Sequence, residues 1–145
     1  MFGHTSATRP SGRPTYGLVN LFNDPNGPQV SGNQYGDCYM VFKGLRDRVT
    51  VTAKDSLGHD NLVSTMTKGI PDMMSEFKKD EGEKFAALAR GKVPWVDSKG
   101  LFYKEAQFHG PVSFQENVSH VMVDEQYRSQ PTKLALLLRF CEKNG

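Results

Sequence analysis

Leu101-Phe102-Tyr103-Lys104-Glu105-Ala106-Gln107-Phe108-His109-Gly110-Pro111 is the stretch whose reading decides how the chain folds. As a β-strand it sends alternate side chains to opposite faces. Leu101, Tyr103, Glu105, Gln107 and His109 then share one face, and Phe102, Lys104, Ala106 and Phe108 the other. The second face reads as core packing around Ala106 and Phe108. The first sets a carboxylate, an amide and an imidazole in a row, each about 7 Å from the next. Gly110-Pro111 ends the strand, because proline lacks the N–H that a ladder requires. Two readings of the polar row stand open. It is the solvated face of an edge strand, or Glu105 points into a cleft and is held there by Gln107 and His109.

Upstream, Arg46 to Ala53 alternates in the same way, with Val49, Val51 and Ala53 on one face and Arg48, Thr50 and Thr52 on the other. Lys54-Asp55-Ser56-Leu57-Gly58 closes it with short side chains that bond to nearby backbone. Tyr35 to Lys43 is a nearly continuous apolar run and the best candidate for a buried strand. Pro14 to Phe22 predicts a further strand, in which Gly17 marks a bulge or the close approach of a ligand or of backbone. Asn23-Asp24-Pro25-Asn26-Gly27-Pro28 is a turn. Residues 1–13 read as an arm with no element of their own, as in a chain that starts inside a larger domain.

Between Leu62 and Gly91 the period becomes helical, with Pro71 at a first helical position and Met73, Met74 and Phe77 as an apolar stripe. This predicts two short helices, or one weakened near Gly82. The charges from Lys78 to Lys84 read as a solvated face, and Trp95 as a packing residue. Asn117 to Val123 predicts another strand and Asp124 to Arg128 a helical turn. A C-terminal helix opens at Pro131, with Leu134, Leu137, Leu138 and Cys141 on one stripe. About five strands and three helices, grouped and not alternating, give an α+β fold in a single domain over residues 1–145.

Composition narrows the function. A net charge of +2 spread over scattered basic residues argues against nucleic acid as partner. The longest apolar run, Leu134 to Leu138, is too short to span a bilayer, so a membrane is not expected. Four histidines without metal-ligand spacing predict no metal site. Cys38 and Cys141 form no paired motif and read as buried free thiols, which suits a reducing compartment. No signal-peptide pattern opens the chain, although a secreted effector can use a signal that leaves no such trace.

Three segments carry a resemblance. They are Arg13-Pro14-x-Tyr16-Gly17-Leu18-x-Asn20-Leu21; Gly36-x-Cys38-Tyr39 leading to Thr50-Val51-Thr52-x-x-Asp55-Ser56; and Glu105-Ala106-Gln107-x-His109-Gly110-Pro111-Val112. In that order, over roughly residues 13 to 140, the chain resembles a bacterial family related to mono-ADP-ribosyltransferases. Its members include secreted effectors that place ADP-ribose on a threonine of host ubiquitin. The resemblance implies two small, roughly perpendicular β-sheets flanked by short helices, with NAD, a substrate, in the cleft between the sheets. It implies Glu105 as the catalytic glutamate, stabilising the cationic ribose formed when the nicotinamide bond breaks. Gln107 and His109 would orient Glu105 or the acceptor, with a general-base role for His109 as the alternative. Thr50, Thr52, Asp55 and Ser56 would hold Glu105 and the nicotinamide ribose. The resemblance further implies that Tyr16 would stack on nicotinamide, that Arg13 would meet a phosphate, and that Gly17 and Asn20 would complete the NAD-binding set.

One departure is plain. Relatives of that kind carry an upstream aromatic-arginine segment that binds NAD, and nothing before Arg9 matches it. The chain is then a fragment, or Arg9 or Arg13 takes over that role. The implied destination is a host cytoplasm reached by secretion, or the cell's own cytoplasm. Two alternatives remain beside protein ADP-ribosylation: an NAD glycohydrolase toxin, in which water is the acceptor, and a non-enzymatic binding module with an incomplete cleft.

Overall fold

Val49-Thr50-Val51-Thr52 and Glu105-Ala106-Gln107-Phe108 each place two small or apolar groups on one face and two polar groups on the other, so the two segments can pair with like faces aligned. The computed structural model describes residues 12–28, 38–56, 63–101 and 104–144. Within these lie strands β1 (Thr15–Leu18), β2 (Cys38–Phe42), β3 (Val49–Thr52), β4 (Ser64–Thr65), β5 (Glu105–Phe108) and β6 (Val118–Val123). Four α-helices accompany them: α1 (Ile70–Ser75), α2 (Lys79–Ala89), α3 (Phe114–Asn117) and α4 (Pro131–Asn144). One antiparallel sheet runs β1-β5-β3-β4 and a second pairs β2 with β6. The α+β class expected from the grouping of elements is the class observed.

β5 lies inside its sheet, between β1 and β3. The reading of its polar row as a solvated edge is therefore wrong, since Glu105 and Gln107 are both buried. The strand is also shorter than its sequence pattern. Leu101 sits in a bend where its N–H donates to the Ser98 carbonyl at 3.0 Å, after Gly100 turns the chain at φ 79°. Phe102 and Tyr103 lie outside the described residues. At the other end the chain turns at Gly110, φ 79°, as the Gly-Pro stop predicts. Arg48 clamps this turn, its Nη1 donating to the carbonyls of His109 at 3.2 Å and Pro111 at 2.9 Å.

The pairing registers explain the faces. Val49 is opposite Phe108 and Val51 opposite Ala106, and on the other side Gly17 is opposite Ala106. Directly opposed residues of an antiparallel pair project to the same face. These side chains, with Leu45, Ala53 and Met73, form the core, and Phe42 joins the second sheet to it through a tilted ring contact with Phe108 at 4.9 Å. Gly17 is required by this packing. A Cβ there would sit 2.7 Å from Phe108 Cε2, against a ring already wedged on Phe42. Gly17→Val is expected to destabilise the fold by about 1–3 kcal/mol through overpacking. A denaturant titration checks this, and an unchanged midpoint would mean that the ring has room to move.

Elsewhere the structure departs from the pattern for identifiable reasons. β2, expected to be buried, belongs to a two-stranded sheet with one uncovered face, so Cys38 and Met40 are exposed. Tyr35 to Asp37 of that candidate strand lie outside the described residues. Cys141 is also exposed, because no residue of α4 is buried; Leu134 and Leu137 of its stripe are half-buried and Leu138 is open. Both cysteines thus differ from the expected buried thiols. The helical region is two helices, but the break falls at Glu76–Lys78 and not at Gly82, which lies inside α2. Trp95 is exposed in the loop after α2. Asn117 ends the short helix α3 instead of opening β6, its Oδ1 accepting the Ser113 N–H at 2.9 Å. Among the described residues no helix is long and apolar enough to cross a membrane.

Candidate active site

The sheet face opposite the core carries Tyr16, Leu18, Thr50, Thr52, Glu105 and Gln107, by the same registers. Polar side chains on a buried face must satisfy one another. They do: among the described residues no buried side-chain nitrogen or oxygen lacks a partner. Glu105, 6 % exposed, receives Ser56 Oγ and Gln107 Nε2 on Oε1. Its Oε2 accepts the Ser56 N–H at 3.3 Å.

Ser56 reaches the carboxylate because the chain doubles back after β3. Thr52, directly opposite Glu105, turns its hydroxyl to the Lys54 carbonyl at 2.7 Å, and the tight turn it closes returns Ser56 over Glu105. Of the four residues expected to hold the glutamate or ribose, Ser56 therefore touches Glu105 and Thr52 shapes the turn that brings it there. Asp55 is half-buried between Lys54 and Ser56. Thr50 stands opposite Gln107 and donates to its Oε1 at 3.0 Å, and the same hydroxyl lies 2.8 Å from His109 Nε2.

The remaining sequence candidates divide. Tyr16, opposite Gln107 on the β1 side, keeps 54 % of its surface open beside this network. Arg13 is exposed two residues ahead of β1. Gly17 points to the core face, where the Phe108 ring occupies the space beside it. Asn20 uses its side chain locally, Nδ2 donating to the Asp24 carbonyl at 2.8 Å and Oδ1 accepting the Asp24 N–H at 2.9 Å. Arg9 lies outside the described residues.

Two buried carboxylates escaped sequence reasoning. Glu81, in the charge run read as a solvated face, is buried and pairs with buried Lys104 at 2.8 Å. The signal was available: Lys104 has the parity of the core face, and a lysine there needs a counter-charge. Asp24 is buried in the Asn-Asp-Pro-Asn-Gly turn, accepting from the Asn26 N–H at 2.9 Å and from both the N–H and the hydroxyl of Ser98 at 2.8 Å. Tyr39 packs on the same turn at Gly27, and its phenol pKa is raised, first by burial and then by the Asp24 charge.

Comparison with protein-family models, curated proteins and solved structures returned no match. The functional reading then has to come from the chemistry of this polar face and the motifs that form it. Among the described residues no cluster of three or more His, Cys, Asp or Glu side chains has the proximity to hold a metal ion. The arrangement is a carboxylate fixed by three hydrogen bonds, an exposed aromatic ring beside it, and a line of hydrogen-bonded side chains from Gln107 through Thr50 to His109.

Proposed function

We propose that this chain is an NAD-dependent mono-ADP-ribosyltransferase that modifies a side-chain hydroxyl of a protein, with a threonine of ubiquitin as the first acceptor to test. The observation that carries this reading is the unequal loading of the Glu105 carboxylate. Oε1 receives two side-chain donors, whereas Oε2 receives only the long Ser56 N–H contact among the described residues. A carboxylate oxygen has room for further partners, so Oε2 is the atom that can meet a ribose hydroxyl or a developing cation.

The chemistry follows from that. The bond between the nicotinamide nitrogen and ribose C1′ breaks with its electron pair going to the pyridinium nitrogen, which leaves as neutral nicotinamide. Positive charge develops on the ribose, as in glycoside cleavage. A carboxylate held in place stabilises that charge without reorganising at the moment of reaction. The acceptor hydroxyl oxygen forms the new bond to C1′ and releases its proton to solvent. Tyr16 offers the ring on which nicotinamide would stack, and Arg13 a cation for a phosphate. The finer fold that goes with this activity, two sheets set roughly perpendicular around NAD, is part of the same proposal.

Incubation with labelled NAD and a mixture of proteins including ubiquitin, followed by mass spectrometry, tests the proposal. A mass gain of one ADP-ribose on a hydroxyl-bearing residue is expected. Release of free ADP-ribose with no modified protein would replace transfer by glycohydrolysis, and calorimetry without heat at high NAD would leave a binding module. Within the site, Gln107→Ala is expected to lower transfer about 10- to 100-fold, the worth of one hydrogen bond to a charged group. An effect as large as that of losing Glu105 would mean that the roles of the two residues are reversed.

A further inference from the structure

Beyond Glu105 and its direct partners, the hydrogen bonds continue through Gln107 and Thr50 to His109, and their directions can be worked out. An ionised carboxylate only accepts, so Gln107 must present its NH2 to Glu105 and its carbonyl oxygen to Thr50. The Thr50 hydroxyl has a single proton, and the Gln107 oxygen 3.0 Å away takes it. What Thr50 offers His109 is then a lone pair, so His109 Nε2, at 2.8 Å, must carry a hydrogen. The backbone of His109 is held on both sides, its N–H donating to the Arg48 carbonyl at 2.9 Å and its carbonyl accepting from Arg48 Nη1.

From this geometry we propose that His109 is a positioning residue acting through its Nε2–H, and that this nitrogen is not the general base. Its Nε2–H sets the Thr50 hydroxyl, the hydroxyl sets the Gln107 amide, and the amide sets the Glu105 carboxylate. Every donor in the line points towards Glu105, and such chains reinforce one another. A base at Nε2 would need that nitrogen bare, which the chain of donors forbids. The catalytic consequence rests on the transferase reading above; the proton arrangement does not.

Two measurements separate these. In ¹⁵N-histidine protein, long-range proton–nitrogen correlation identifies the ring tautomer, with the His109 signal assigned by its loss in His109→Gln. The expected result is a hydrogen on Nε2, and a neutral ring carrying its hydrogen on Nδ1 overturns the proposal whether or not transfer is seen. In the transfer assay, His109→Phe removes the donor, while His109→Gln returns an amide N–H near the place of Nε2. The phenylalanine variant should lose about tenfold in kcat, the scale of one charge-coupled hydrogen bond, and the glutamine variant should recover most of it at an unchanged denaturation midpoint. Wild-type kcat in the phenylalanine variant overturns the proposal, as does an equal loss in both variants, which would make the imidazole itself the reacting group. Absence of transfer by the wild type would remove the functional reading alone and leave the tautomer result to decide the relay.

Discussion

Changing Glu105 to alanine is expected to lower ADP-ribosyl transfer about 10²–10³-fold, the usual cost of removing one preorganised electrostatic group from a transition state. Alanine also deprives the Ser56 hydroxyl and the Gln107 amide of their shared acceptor inside a buried site. Glu105→Gln separates the two effects. It keeps an oxygen to accept from those donors and keeps the volume of the side chain, but carries no charge to place against a ribosyl cation. Its transfer rate should fall nearly as far as that of alanine while it loses less stability, its one unfavourable contact being the new NH2 against the Ser56 N–H. Steady-state rates beside denaturant titrations of both variants check this, and full activity in either one removes Glu105 from the chemistry.

The largest effect on stability is expected at the residue just before it. Lys104→Met leaves Glu81 buried without its counter-charge, and breaking one partner from such a pair costs about 3–5 kcal/mol. Lys104 also lies 5.0 Å from the centre of the Phe77 ring, so its cation is attracted by an aromatic face as well as by the carboxylate. Adding Glu81→Leu to Lys104→Met should recover most of the loss, because two apolar groups can replace a buried pair at little cost. Recovery should stop short by about 1 kcal/mol, the worth of a helix cap. Glu81 Oε2 also accepts the Lys78 N–H at the start of α2, at 3.1 Å. Urea titrations of the wild type, the single variant and the double variant measure this directly. A single variant within about 0.5 kcal/mol of wild type, the range of ordinary surface changes, would mean that the pair is solvated. The pair matters to the site because Lys104 leads straight into β5, the strand on which Glu105 is carried.

What could be read in the sequence was whatever a two-residue period decides. The alternation in Val49-Thr50-Val51-Thr52 and Glu105-Ala106-Gln107-Phe108 assigned the faces correctly, and Gly110-Pro111 marked the end of β5. Whether that strand lay inside or at the edge of the sheet was not legible, since both positions allow the same alternation. It is settled by long-range pairing with β1 and β3, which separate by dozens of residues in sequence. Burial of charge was missed for a related reason. Glu81 sits among lysines and acids that are themselves exposed, and only the meeting of α2 with the start of β5 takes it out of water. Cys38 shows the reverse case, an apolar run left half open because, among the described residues, its sheet has two strands. At the site, Glu105, Gln107, Thr50 and Ser56 were pointed to by the family resemblance and not by spacing alone, and the structure brings their side chains together. The direction of each hydrogen bond could not be read, because it depends on which atoms of an amide and an imidazole meet.

The role proposed for the Glu105 carboxylate is to meet the cation formed as nicotinamide leaves NAD. Nicotinamide release, followed for the wild type and for Glu105→Gln at matched stability and saturating acceptor, tests it most directly. Release by the wild type that falls about 10²–10³-fold in the variant is the predicted result. Equal release by both proteins, or none by the wild type at any NAD concentration, would contradict it.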